Sequence, residues 1–344
     1  ETEQRLTVAV SSDVQTMDPR LMHNTLSTNV VHMLFEGLMY VNAYGEIMPG
    51  VAKNVSISED GLTYTFHLKE SAWSDGTPLT AEDFEYTWKS VLNPKFPAPN
   101  AYQLFVIKGA QAAKEGKGTL DAVGIKAVDP KTLVVELVQP TPYFIELTTT
   151  HFYAPVSRHW AEAKDRGSMV SNGPFKFDHV QMGKEFSVVK NPHFWNASQV
   201  KLDRITLAVM DDNTALKIFQ KGGVEWVGSP MSFIPPDAIA TLKMDGKLVF
   251  APAAATTWLV INTEKPPFDQ VKMRKAFNLA IDRQGLVDYV IKGSHTPATG
   301  IVPLSLLPRA RPYFEDNDVP AAWTNFQNAL KEAELSKDDM PAIS

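Results

Sequence analysis

Residues 62–88, LTYTFHLKESAWSDGTPLTAEDFEYTW, constrain the fold more than any other stretch, because they join an alternating strand, a turn and a capped helix in one fixed order. Leu62, Tyr64, Phe66 and Leu68 alternate with polar residues, as a half-buried strand requires. Trp73-Ser74-Asp75-Gly76-Thr77-Pro78 supplies turn chemistry: Gly76 tolerates positive φ and Pro78 presets an extended backbone. Thr80 then reads as an N-cap, with Asp83 completing a capping box and Phe84, Trp88 and Val91 on one helical face. Trp73 is expected to pack beneath the turn. Nothing in this unit is arranged as a catalyst; it is scaffold.

The 344 residues exceed what one core usually serves, so two or three domains are expected. A net charge of −6 argues against a nucleic-acid partner, which calls for a basic face. There is no apolar run near 18 residues, and with no cysteine the chain forms neither disulfides nor thiolate metal sites. It opens at Glu1 without a charged and apolar leader, so any secretory signal is read as already removed. No G-x-S-x-G, H-E-x-x-H, P-loop or G-x-G-x-x-G pattern occurs. The eight histidines are scattered, none at metal-ligand spacing on a helix. The acidic doublets Asp211-Asp212 and Asp338-Asp339 read as solvated loop or cap positions. No catalytic residue, metal or cofactor is assigned, and the chain is not read as an enzyme.

Along the chain, residues 5–10 read as a first strand and 28–35 as a short helix. Residues 123–128 and 132–137 form a hairpin across Asp129-Pro130-Lys131. Strands at 186–190 and 205–210 and a helix at 213–221, closed by Gly222-Gly223, follow. Residues 250–262 are apolar and small, suited to a buried connection between domains. Residues 271–291 are helical, with a break near Asp282.

Further motifs stand around the opening segment: Asp13-Val14-Gln15-Thr16-Met17-Asp18-Pro19, Leu34-Phe35-Glu36-Gly37-Leu38, Pro49-Gly50-Val51-Ala52, Ser171-Asn172-Gly173-Pro174-Phe175, Asn191-Pro192-His193-Phe194-Trp195 and Asn262-Thr263-Glu264-Lys265-Pro266-Pro267-Phe268. In this order, and with Ala280-Ile281-Asp282-Arg283, the chain resembles the extracytoplasmic solute-binding proteins of family 5, the peptide-binding receptors of ABC importers. It departs locally, with Val55 where members usually carry a Trp. The resemblance implies an α/β fold, periplasmic binding protein type II-like, of the large peptide-binding class with discontinuous domains. The first lobe domain would comprise residues 1–35 and 165–257, the inserted second domain 36–164, and the start of an incomplete third domain 258–344. Met340-Pro341-Ala342-Ile343-Ser344 falls where that domain would begin a strand, so the sequence is read as a fragment, with a natural short paralogue as the alternative.

The resemblance further implies capture of an oligopeptide between domains and its delivery to a membrane permease, by a monomer in the periplasmic or extracytoplasmic space. Ligand-facing positions would be His23, Asn24 and Thr25 after the Asp-Pro motif; Asn100, where relatives place an aromatic, with Tyr102 close by; and Gly228 and Ser229 in a loop pairing with the ligand backbone. Trp258 either faces the cleft or belongs to the core. Relatives often carry an acid where His23 stands, and His23 has an alternative role as the cap of the following helix. The groups that hold the two ends of the ligand would lie mainly beyond Ser344, so residues 1–344 are expected to bind peptides more weakly than a chain carrying the rest of the third domain. Other solutes, such as a nickel complex or haem, and a surface interaction role stay open.

Overall fold

In the computed structural model, which describes residues 3–162, 169–251, 253–292, 295–307, 309 and 311–340, the chain divides into two compact units, Glu1–Ile234 and Pro235–Ser344. The first begins with β1 (Arg5–Val10), α1 (Thr25–Leu34), the small ribbon β2 (Met39–Val41) and β3 (Ile47–Pro49), then β4 (Ala52–Ile57), β5 (Thr63–Leu68) and α2 (Ala81–Leu92). It continues through α3 (Ala110–Lys114), β6 (Ile125–Asp129), β7 (Thr132–Glu136), α4 (Phe144–Leu147), α5 (Arg158–Glu162), β8 (Phe175–Gln181), β9 (Glu185–Lys190), β10 (Arg204–Val209) and α6 (Asp212–Gln220).

The strand, turn and helix read from residues 62–88 are all present. Tyr64, Phe66 and Leu68 of β5 face inward, Gly76 holds φ +86°, and Thr80 with Asp83 forms the capping box of α2. Trp73 is buried beneath the turn, 2% exposed, and its Nε1 lies 3.4 Å from Asp83 Oδ2. Phe84, Trp88 and Val91 bury one face of α2 against the sheet ordered β4-β5-β7-β6, and Trp88 Nε1 donates to Tyr153 O at 3.1 Å. Each such aromatic contributes roughly 1.5–3 kcal/mol by leaving water.

That sheet is antiparallel and lies wholly within residues 52–136, whereas the other, ordered β1-β10-β9-β8, draws strands from 5–10 and 175–209. β1 pairs with β10 in parallel, and the remaining pairs of this sheet are antiparallel. On the free side of β1, Trp226 bridges Val8 in parallel, with Ala9 N donating to Trp226 O and Glu225 N to Thr7 O. β1 is therefore covered on both faces, Val8 and Val10 in the main core and Ala9 against Ala215 of α6 and Val224, which explains its nearly continuous apolar run.

The chain leaves the first sheet beside the point where it returns. Gly173 N donates to Leu34 O, and Asn172 bonds both the N–H and the carbonyl of Glu36. A Cβ on Gly173 would meet Leu34 backbone at 2.6 Å, so only glycine fits there. The Glu36 carboxylate accepts from Trp195 Nε1 at 2.6 Å, and Lys69 Nζ stands 3.4 Å over the Trp195 ring while donating to Pro49 O. Burial outweighs these contacts and pushes Glu36 up to about 7; burial likewise lowers Lys69.

In the second unit are α7 (Pro236–Met244), α8 (Val271–Ala280), α9 (Arg283–Gly285), a π-helical turn at Leu286–Ile291 and α10 (Val319–Glu332). Helices α8 and α10 pack through Met273, Ala276, Ala322 and Ala329. The expected break sits where Asp282 caps the next turn, its Oδ1 accepting from Gly285 N. Two expectations need correcting. The first helix starts at Thr25 rather than 28, because Asn24 caps it by accepting from Ser27 N, one turn earlier than expected; the alternative cap His23 does not take that role. Residues 250–262 carry no strand among the described residues and are exposed at Trp258, Leu259 and Val260, so apolar composition alone did not place a layer over them. The proposed domain boundary at 165 and residues 341–344 of the expected terminal strand lie outside the described residues.

Candidate functional site

Three parallel segments, β1, β10 and residues 224–227, end on the same edge of the first sheet. Parallel strands present the loops after their carboxyl ends side by side, the usual place for a ligand in an open α/β sheet. β1 runs into Ser11 and the 11–18 loop, β10 into the N-terminus of α6, and 224–227 into Gly228 and Ser229.

The 11–18 loop organises the first group of residues. Gln15 Oε1 lies 2.9 Å from His23 Nε2 and accepts from Asn24 Nδ2 at 3.1 Å. His23 Nδ1 lies 3.2 Å from Leu21 O, so both ring nitrogens face oxygens, and a neutral ring donates to only one of them. Asn24 Oδ1 caps α1 by accepting from Ser27 N, which commits both polar atoms of its side chain. Thr25, the first helical residue, is exposed. Asn100 Nδ2 donates to Met22 O at 2.7 Å, which brings the 3₁₀ turn Ala101–Leu104 against this loop and leaves Tyr102 58% exposed. Beneath them the buried pair Asp18–Arg20, closed at 2.7 Å with Arg20 also on Ser90 Oγ and over the Phe96 ring, ties the loop to α2.

The second group is the loop after Trp226. Gly228 holds φ +104°, its N–H donates to the buried Ser232 Oγ at 2.8 Å, and its carbonyl accepts from Met231 N and Ser232 N. The loop thus closes on itself and turns Ser229 outward. Phe233 follows, 71% exposed, with its N–H 3.2 Å from Asp212 Oδ1, which also accepts from Ser11 Oγ at 2.8 Å.

The structure therefore brings His23, Asn24, Thr25, Asn100 and Tyr102 together on one loop cluster, and sets Gly228 and Ser229 at the end of the strand beside β1. Trp258 belongs to the second unit and is 60% exposed. Gln15, Ser11, Asp212 and Phe233 were missed: a lone glutamine or serine carries no sequence signal, and Asp212 was hidden in a doublet whose first member, Asp211, does cap a helix by accepting from Asn213 N and Thr214 N. Among the described residues no cluster of His, Cys, Asp and Glu could hold a metal ion. A cavity of about 580 Å³, lined by Asp60, Leu62, Thr63, Lys108, Gly109 and Glu136–Val138, lies at the second sheet and touches none of the eight expected residues. It is spanned by the exposed Lys108–Glu136 ion pair, and the strand-end geometry is the better guide to the site.

Residues 46–340 match the model of the bacterial extracellular solute-binding proteins, family 5. The oligopeptide-binding protein OppA of Bacillus subtilis is 41% identical over 98% of this chain, which spans 64% of that relative's length. Among solved structures, Burkholderia pseudomallei OppA superposes with a TM-score of 0.89 at 27% identity, over 98% of this chain and 68% of that one. Haemophilus influenzae OppA in complex with RPPGFSPFR superposes with a TM-score of 0.86, again at 27% identity over 98% and 68%. The chain shares their fold.

Proposed function

The chain belongs to the bacterial extracellular solute-binding proteins of family 5, and from that premise we propose that it supplies the first-lobe surface of an ABC-importer receptor that captures oligopeptides and presents them to a membrane permease. Its fold is α/β, periplasmic binding protein type II-like. Among the described residues no helix is long and apolar enough to cross a membrane; the extracytoplasmic location and the monomeric state are part of the proposal. So is a three-domain division, with residues 1–35 and 165–257, 36–164, and 258–344 acting as separate parts.

One observation carries the reading: Gln15, Asn24, Thr25, Asn100 and Ser229 bring amide and hydroxyl side chains, and Tyr102 and Phe233 bring exposed aromatics, to loops at and beside the ends of parallel strands. An extended peptide offers mainly amides and variable side chains, so neutral donors and acceptors flanked by aromatic surface suit it better than a fixed charge. Binding requires no reacting group, and none is assigned. Hydrogen exchange with a mixed tri- to pentapeptide library tests this. Protection at 23–25, 100–102 and 228–233 is expected; protection confined to the Asp60–Glu136 cavity would move the site, and no peptide retained at millimolar concentration by a chain spanning the full length of its relatives would overturn the peptide reading.

A further inference from the structure

Asp211 and Asp212 sit together at the start of α6 yet do different things. Asp211 satisfies the helix end, accepting from Asn213 N, Thr214 N and Thr214 Oγ1. Asp212 is not needed for that capping; its Oδ1 takes Ser11 Oγ at 2.8 Å from the end of β1 and Phe233 N at 3.2 Å from the far end of the 228–233 loop. One carboxylate oxygen thereby joins three chain segments whose sequence separation reaches 222 residues, the difference between positions 233 and 11.

The loop it holds behaves as a small closed piece. Ser232, 3% exposed, receives the Gly228 N–H on its hydroxyl, and Met231 and Ser232 return their N–H groups to Gly228 O. At one end the loop continues the strand that pairs with β1 through Trp226. At the other end the bond from Phe233 to Asp212 fixes its tilt. Without that bond, the closed loop would turn as one piece where it leaves the strand at Gly228, which has no Cβ to resist it, and would carry Ser229 and the Phe233 ring together.

We propose that Asp212 is a positioning residue of the ligand-facing rim, which locks the 228–233 loop to the carboxyl end of β1 so that Ser229 and Phe233 meet the peptide in one fixed geometry. The proposal rests on the peptide-binding reading for its consequence, though not for the lock itself. Asp212→Ala, Asp212→Asn and Ser11→Ala are compared with the parent chain by residue-resolved hydrogen exchange and by calorimetry against trialanine and the mixed tri- to pentapeptide library. Asp212→Ala is expected to speed exchange of the Phe233 amide and weaken peptide binding by up to roughly tenfold, as loss of a positioning hydrogen bond does. Asp212→Asn, which keeps an acceptor oxygen, is expected to restore most of both. Wild-type exchange at Phe233 in Asp212→Ala overturns the lock. Equal loss in the Asn and Ala variants also overturns it, since it would trace the effect to the charge beside α6. If the parent retains no peptide, the function fails while the exchange measurement still decides the lock.

Discussion

The segment from β5 through α2 and the rim at the end of β1 are built on opposite rules. In the former, polar groups close on one another, Thr80 with Asp83 and Trp88 Nε1 with Tyr153 O, and Trp73, Phe84 and Trp88 are withdrawn from water. On the rim the anchors are buried, as Met22 and Ser232 are, while His23, Thr25, Tyr102, Ser229 and Phe233 stay exposed. The difference separates stability from recognition: substitution in the scaffold should alter folding, and substitution on the rim should alter binding alone.

The largest effect expected is at Trp73. Removing a large aromatic that is 2% exposed leaves a cavity beneath the turn, and Trp73→Ala should cost roughly 3–5 kcal/mol. Denaturant unfolding measures it; a loss below about 1 kcal/mol would erase the contrast between the two regions.

Glu36 comes next, because it sits where the two sheets' chain segments cross. Its carboxyl is raised from 4.5 to about 7 by burial, so the folded state holds a proton that the unfolded chain releases. The stabilisation this proton gives is fully present below pH 4.5 and is lost as pH rises to 7. After allowance for screening around the partly exposed Lys69, the loss is about 2 kcal/mol. Glu36→Gln retains an acceptor for Trp195 Nε1 and removes the titration, so its stability relative to the parent should climb between pH 5 and pH 8. A constant difference across that range would show that Glu36 is charged throughout.

Thr80→Ala removes half of the capping box of α2 and should cost about 1 kcal/mol. Thr80→Ser should restore most of it, since the serine hydroxyl caps as well; failure of that rescue in thermal unfolding would assign the loss to packing of the threonine methyl.

How much of this was legible follows the same divide. Alternation at Tyr64, Phe66 and Leu68, the turn at Gly76 and the Thr80-Asp83 spacing are local rules, and β5, the turn and α2 form where they point. Asp282 broke the 271–291 helix for the same local reason. The rim depends instead on contacts between distant segments, such as Asn100 with Met22 and Asp212 with both Ser11 and Phe233, and no periodicity encodes them. The start of α1 lies one turn before the expected residue 28 because Thr25, Leu26 and Ser27 carry no strong helix-start signal of their own, and the Asn24 amide, accepting from Ser27 N, brings them into the first turn. Residues 250–262 show the limit of composition, since an apolar run is buried only where another layer meets it.

The smallest effect on stability, and the sharpest test of the divide, is at Ser229. Its side chain is exposed, and the loop that carries it closes through Gly228 and Ser232 without it. Ser229→Ala should therefore change unfolding free energy by less than about 0.5 kcal/mol, the usual range for an exposed position free of special structure. If the hydroxyl bonds the peptide backbone, its loss costs roughly 0.5–1.5 kcal/mol of binding, or about two- to tenfold in affinity. Calorimetry against trialanine, paired with thermal unfolding of the same sample, reads both quantities. A lowered unfolding temperature with unchanged affinity would reverse the assignment and make Ser229 part of the scaffold; unchanged values for both would leave the rim's contribution at this loop to the backbone of Gly228 and the ring of Phe233.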